Sequence, residues 1–264
     1  THPSIAGAGV ARIGHRGEAL GTLRRRAGFV VAGTDTDVGK TVLSAIALVA
    51  IRRLGPGGYW KPVQTGDDDD TATVRRLTDA PGDCFVEPLR RYPLPASPHE
   101  AAAAAGTAVP VGELTPALHE IVGRDATRRW IVELAGGLLV PYRTDRVQLE
   151  WLREFRFPLL IGARSGLGTL NHTLLTVQAC ERAGLPIAAL FLIGEPHPSN
   201  RETLIEMTRV PHVFEVPRLV PLERASIEGW LDRAESQSGH SLEDVLREAL
   251  VEAGAGAEFL RSGG

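Results

Sequence analysis

Val30-Val31-Ala32-Gly33-Thr34-Asp35-Thr36-Asp37-Val38-Gly39-Lys40-Thr41 constrains this chain more than any other stretch. A short apolar run enters a Gly- and Thr-rich turn. Val42-Leu43-Ser44-Ala45-Ile46-Ala47-Leu48 then reads as a helix. Strand, phosphate-binding loop and helix follow in that order. At a helix N-terminus the free backbone N–H groups and the helix dipole both favour an anion. Gly39 permits close approach of the backbone. Lys40 offers a point charge to the outer phosphates, and the Thr41 hydroxyl can ligate Mg²⁺. The strict loop pattern wants Gly where Thr34 stands, and Gly33 lies one place earlier.

The 264 residues, 43% of them hydrophobic, are enough for one large core. A formal net charge of −3 and the lack of a basic stripe predict no nucleic-acid partner. No apolar run is long enough for a bilayer span, and no secretory segment is visible, so no membrane association is expected. Cys84 and Cys180 stand far apart without a CxxC, which fits a reduced, cytoplasmic setting. Residues 1–27 are rich in Gly, Ala and Arg, with Arg24-Arg25-Arg26 before the first strand. A targeting or nucleic-acid arm is one reading of them; a poorly ordered extension is preferred. The start at Thr1 rather than Met is expected of a processed, trimmed or engineered chain.

From Phe29 onward apolar runs alternate with helical patterns. Candidate strands are 29–32, 59–63, 130–134, 158–163, 187–193 and 213–216. Candidate helices are 39–54, 70–78, 113–123, 146–155, 168–183, 200–209, 226–236 and 241–253. Gly55, Gly123 and Gly184 fall where left-handed caps are expected. The strand runs are continuously apolar, as in strands covered on both faces. The pattern predicts an α/β fold of one domain over 28–264. A mostly parallel central sheet is flanked by helices on both faces, with ligands beyond the carboxyl ends of the strands.

Several groups should meet at that rim. Lys61, in Lys61-Pro62-Val63-Gln64-Thr65-Gly66, can neutralise charge on a transferring phosphoryl group. Asp67-Asp68-Asp69-Asp70 is mostly a solvated loop, but Asp70 precedes a helix, where it is expected to cap and to face inward. Glu133 ends a buried strand ahead of Gly136-Gly137, and its charge there calls for a partner or a metal. Mg²⁺ takes one or two carboxylates together with phosphate oxygens, which points to Asp70 and Glu133 beside Thr41. Backbone amides at Gly168, Thr169, Leu170 and Asn171 can hold a second anion such as a carboxylate. His172 is given no catalytic role. Ser97-Pro98-His99-Glu100 reads as a capping box opening an Ala-rich helix.

The motifs Gly33–Thr41, Lys61–Gly66, Ser97-Pro98-His99, Glu133–Gly137 and Leu167–Thr176, in this order, resemble dethiobiotin synthetase over about residues 28–220. The resemblance implies an ATP- and Mg²⁺-dependent ligase that joins CO₂ to 7,8-diaminopelargonate and closes a ureido ring. It implies that Lys40 and Lys61 steady phosphates and carbamate, that Thr41, Asp70 and Glu133 hold Mg²⁺, and that Thr36 and Thr65 touch the diamine–carbamate end. It assigns the nucleotide to Asp37, Val38, Gly39, Lys40, Thr41 and Val42, with base loops at Gly194-Glu195 and Pro217-Arg218-Leu219. It also implies a homodimer with the pocket at the interface, Gly168–Asn171 receiving the substrate tail from the neighbouring subunit's site. Three positions depart from the family: Asp37 where Glu is common, Leu134 for the usual Gly, and Gly194-Glu195 for an Asn-Asp pair. The competing readings are an amide-forming ligase with a glutaminase domain, a partition-type switch ATPase, and a nucleotide-binding paralogue without turnover. No glutaminase-sized segment follows residue 220, and Asp35-Thr36 stands where the switches carry a signature lysine.

Overall fold

In a strand, successive side chains leave on opposite faces, so a strand buried on both sides must supply two cores at once. Strand β1 (Gly28–Gly33) does this: Val30 and Ala32 enter one core, Phe29 and Val31 the other. The computed structural model describes residues 28–259, so the expectation for 1–27 lies outside the described residues.

After β1 come α1 (Lys40–Leu54), β2 (Gly57–Trp60), β3 (Val63–Thr65) and α2 (Asp70–Thr78). A short 3₁₀ turn (Gly82–Cys84) leads to β4 (Phe85–Val86), β5 (Arg90–Tyr92), α3 (Pro98–Ala104) and α4 (Val111–Arg124). Then follow β6 (Arg129–Gly137), β7 (Pro141–Arg143), β8 (Arg146–Val147), α5 (Gln148–Leu152), β9 (Leu159–Arg164) and α6 (Thr169–Ala183). The described chain closes with β10 (Ile187–Ile193), α7 (Pro198–Thr208), β11 (Val213–Val216), α8 (Arg224–Leu231) and α9 (Leu242–Phe259). Seven strands form one sheet in the order β11-β10-β9-β1-β6-β2-β4, every neighbouring pair parallel.

One face is covered by α4, α5, α6 and α7 through residues such as Leu118, Trp151, Val177 and Leu204. The other is covered by α1, α2, α8 and α9 through Leu43, Val74, Trp230 and Leu246. The α/β fold with helices on both faces is as the alternation predicts. The chain moves outward from β1 to β4, returns to β6, and then builds β9, β10 and β11 on the other side of β1. The carboxyl end of β1 therefore lies where the strand order reverses, the usual ligand crevice of such sheets. No helix among the described residues is long and apolar enough to cross a membrane.

Several local expectations change. The predicted strand 59–63 is two strands: β2 ends at Trp60, and β3 leaves the main sheet to pair with β5. Pro62 explains the break, because it lacks the N–H that a ladder requires. The helix predicted over 146–155 is only α5, and its first residues form the β7–β8 hairpin instead. Helix α8 stops at Leu231, short of 236, and α9 continues past 253. Of the three expected glycine caps, Gly184 alone is left-handed, with φ 64°; Gly55 is extended, and Gly123 lies inside α4. The cap of α2 is Asp69, whose side chain accepts from the Ala72 N–H at 2.9 Å. Asp70 is thereby the first helical residue, with its carboxylate free for other partners. Ser97 precedes Pro98 as expected, but it makes no cap hydrogen bond and its hydroxyl lies 2.9 Å from His99 Nδ1.

Candidate active site at the phosphate loop

The turn after β1 owes its shape to small residues and to positive backbone angles. Asp37 and Gly39 have φ of 55° and 95°. A side chain at Gly33 would lie 2.7 Å from the Asp35 carbonyl, so the loop folds back on itself only because that position is bare. Gly39 caps α1 without a side-chain hydrogen bond, and the first turn carries no acid. The N–H groups at this helix start thus keep their capacity for an external anion.

The starts of α1 and α2, the end of β2 and the middle of β6 converge beside that loop. Tyr59 and Trp60 of β2 are register partners of Ile131 and Val132 of β6, so Lys61, just past the end of β2, lies beside Glu133. Glu133 does not end its strand as expected; it sits in the middle of β6, paired with Val31 of β1. Lys61 Nζ donates to Glu133 Oε1 at 3.2 Å and also to Asp70. The Thr41 hydroxyl lies 2.6 Å from Asp70 Oδ1 and 3.2 Å from Glu133 Oε1. Ser44 Oγ and the Tyr59 hydroxyl both donate to Glu133 Oε2, at 2.7 and 3.0 Å. Lys40 Nζ reaches back to the Asp35 carbonyl at 3.0 Å.

The electrostatics follow from burial and pairing. Lys61 is 5% exposed and Glu133 1%. Burial opposes the Lys61 charge, but Glu133 and Asp70 more than offset it and raise its pKa. Burial likewise opposes the Asp70 charge, and Lys61, Thr41 and Gln64 overcome it and hold the carboxyl below its usual range. Lys40 differs: burial, with Lys61 nearby, outweighs the pull of Glu133, Asp70 and Asp37 and lowers its pKa. The Tyr59 phenol is pushed far up by burial and by Glu133, so it stays a proton donor.

Two carboxylates and one hydroxyl form an all-oxygen set of the kind Mg²⁺ prefers, with room in its shell for phosphate oxygens and water. Among the described residues there is no cluster of three or more His, Cys, Asp or Glu that could hold a metal by itself. The donor set fits a cation shared with a phosphate ligand.

The remaining predicted residues lie around this centre. Thr36 is exposed on the loop next to Gly136; a side-chain carbon built at Gly136 would be 3.6 Å from the Thr36 hydroxyl. Val38 is buried beneath the loop, and Val42 is half-buried in the first turn of α1. Thr65 is half-buried at the end of β3. Gly194 donates to the Val216 carbonyl at 3.0 Å, so the Gly194-Glu195 turn and Pro217-Arg218-Leu219 lie side by side after β10 and β11. A side chain at Gly39 would meet Ile193 at 3.2 Å, which sets the phosphate loop against the same edge. Gly168, left-handed at φ 91°, starts α6 with no side-chain cap and no first-turn acid, repeating the arrangement at α1. Thr169 is buried, Leu170 half-buried and Asn171 exposed. Among the described residues no hydrogen bond ties Gly168–Asn171 to Thr41, Lys61, Asp70 or Glu133.

Leu134 does not crowd the site. It is fully buried in the core on the face opposite Glu133, as strand alternation requires. The β1–β6 register shifts between Val31↔Glu133 and Gly33↔Gly137, so β6 carries a bulge between Glu133 and Gly137. Sequence reasoning missed four supporting residues. Ser44 is three positions after Thr41, a helical spacing readable in the sequence. Tyr59 is two before Lys61, on the same strand face. Gln148 binds the bulge, its Nε2 donating to the Ala135 and Gly137 carbonyls at 2.6 and 3.0 Å. Arg164 donates to the Thr36 carbonyl at 3.2 Å and pairs with Asp35 at 3.5 Å. No sequence signal marks the last two.

A parallel sheet with a phosphate loop at its switch point, two lysines and an oxygen-donor set defines a P-loop nucleotide-binding protein. A cell-division ATPase, MinD from Pyrococcus furiosus, shares the fold with TM-score 0.50 and 14% identity, over 86% of this chain and 99% of that one. The profile of a family described as an AAA domain matches residues 27–226. The chain is 38% identical over 201 residues to the ATP-dependent dethiobiotin synthetase BioD of Rhizorhabdus wittichii, covering 75% of this chain and 91% of the relative. It is 35% identical over 222 residues to the same enzyme of Nitrobacter hamburgensis, covering 83% and 97%. The chain belongs to the ATP-dependent dethiobiotin synthetase family.

Proposed function

We propose that this chain carries out the family's reaction: ATP-dependent carboxylation of 7,8-diaminopelargonate with CO₂ and ring closure to dethiobiotin, with release of ADP and phosphate. The observation that supports it most is the meeting of Thr41, Lys61, Asp70 and Glu133 beside the open N-terminus of α1. One amine takes up CO₂ as a carbamate, the γ-phosphoryl group of ATP activates the carbamate oxygen, and the second amine displaces phosphate to close the ring. Such chemistry needs positioning and charge neutralisation rather than a protein nucleophile.

In this reading the α1 N–H groups and Lys40 receive the phosphates, Lys40 exchanging its Asp35 carbonyl for a phosphate oxygen. Lys61 keeps its proton and lies against the carbamate and the transferring phosphoryl group. Thr41, Asp70 and Glu133 would hold Mg²⁺, which supplies charge compensation on the triphosphate. Thr36 and Thr65 contact the diamine–carbamate end, and Gly194-Glu195 with Pro217–Leu219 border the base. The start of α6 at Gly168–Asn171, where the Thr169 N–H donates to the Gly166 carbonyl and no side chain caps the helix, suits the substrate carboxylate of a neighbouring subunit in a homodimer. Residues 28–264 act as one synthetase domain, in the cytoplasm, where ATP and bicarbonate are supplied.

Phosphate release measured with diaminopelargonate and bicarbonate added singly and together tests this. Release should require both. Release independent of both would replace the synthetase with a nucleotide switch.

A further inference from the structure

Glu133 is fully buried, yet its two oxygens have separate environments. Oε1 faces Thr41 and Lys61, each at 3.2 Å. Oε2 faces inward and accepts from Ser44 at 2.7 Å and Tyr59 at 3.0 Å. Thr41 and Ser44 are one turn apart on the same side of α1, so a single helix grips both oxygens of one carboxylate. Tyr59 arrives from β2, where its register partner Ile131 is two residues before Glu133 on the same strand face. Ser44 and Tyr59 are themselves fully buried, and neither donates to any other group among the described residues.

We propose that Ser44 and Tyr59 are positioning residues that occupy Oε2 and present Glu133 to the divalent cation through Oε1 alone. A carboxylate that turns freely on its last bond can offer either oxygen, or both. Two donors on one oxygen remove that freedom before the ligand arrives, as fixed outer hydrogen bonds do in other metal sites. Neither residue touches the reacting atoms in this arrangement; each acts through Glu133.

The inference rests on the reading of Glu133 as a cation ligand, and the experiment separates the two. Mn²⁺ affinity is measured by electron paramagnetic resonance on the full chain with the non-hydrolysable imido analogue of ATP, for wild type, Tyr59→Phe, Ser44→Ala and Glu133→Gln. Mg²⁺ dependence of turnover and thermal unfolding are measured beside it. Tyr59→Phe and Ser44→Ala should each weaken Mn²⁺ binding three- to tenfold and raise the Mg²⁺ needed for half-maximal turnover by the same factor. Turnover at saturating Mg²⁺ should stay within twofold, and Ser44→Thr should restore binding. If Glu133→Gln weakens Mn²⁺ binding while neither hydroxyl variant does, the positioning role is wrong and the cation site stands. If Glu133→Gln leaves Mn²⁺ binding unchanged, the cation site itself is wrong and the positioning role falls with it. Lower unfolding temperatures with unaltered Mn²⁺ affinity would make both hydroxyls merely structural and overturn the proposal.

Discussion

Lys61 Nζ and Glu133 Oε1 lie 3.2 Å apart although 72 residues separate them in the chain. Their meeting follows from β2 and β6 being parallel neighbours whose registers place both residues one step past the last paired positions. Lys61 also pairs with Asp70, so a single buried ammonium compensates two carboxylates that belong to different elements.

Replacing Lys61 with Ala should therefore act twice. Turnover should fall at least tenfold, about 1.4 kcal/mol of barrier, because in the proposed mechanism the Lys61 charge offsets that of the moving phosphoryl group. The protein without nucleotide should also lose about 3 kcal/mol of stability, since two carboxylates are left unpaired in a mostly buried site. Urea unfolding with and without Mg²⁺ and ATP checks this, and the deficit should shrink when both are present. Unchanged turnover would remove Lys61 from the mechanism.

Leu134 is fully buried among the side chains on the face away from Glu133. Leu134→Ala should cost about 3 kcal/mol through the cavity it leaves. Turnover at a temperature where the variant is folded should remain near wild type. A selective loss of turnover would mean that Leu134 shapes the site after all.

Gln148 is fully buried and makes three hydrogen bonds to the backbone of the bulge, at Ala135 N, Ala135 O and Gly137 O. Gln148→Leu keeps the bulk and strands those groups, at a cost of about 2 kcal/mol. On the proposed role of Thr36 at the diamine, the KM for the diamine should rise more than kcat falls, because Gly136 of the bulge lies against Thr36. An unchanged KM would separate the bulge from substrate binding.

His212, before β11, packs against His240 with ring centroids 5.2 Å apart and faces Glu248 at 3.9 Å, with Glu252 nearby. Burial, followed by His240, lowers its pKa despite the two glutamates. A histidine with a lowered pKa binds its proton less readily in the folded state. Its contribution is full above the ordinary value of 6.5 and is lost as pH falls through the lowered one. Urea midpoints at pH 8 and pH 5 should therefore converge in His212→Gln relative to wild type. An equal drop in both proteins would contradict this.

Much of the site was legible because its motifs are local. A phosphate loop needs consecutive residues, and Gly39-Lys40-Thr41 carries its chemistry in three letters. Asp70 was readable as an acid at a helix start, and Glu133 as an acid in a buried strand, although that strand continues to Gly137 rather than ending beside it. The split of the predicted strand 59–63 followed from Pro62, which was visible but overridden by the apolar run around it. The assignment of the α2 cap to Asp70 failed by one residue, because four consecutive Asp residues give no local preference among themselves.

By itself the sequence determined the alternating α/β order, the phosphate loop and the acid and lysine residues available to it, since periodicity and turn chemistry act over a few neighbours. Only the tertiary structure decided that β6 returns between β1 and β2, that Lys61 bridges Asp70 and Glu133, and that Ser44, Tyr59 and Gln148 support them. Those contacts join residues far apart in the chain, and strand order and register decide them, which no local pattern encodes.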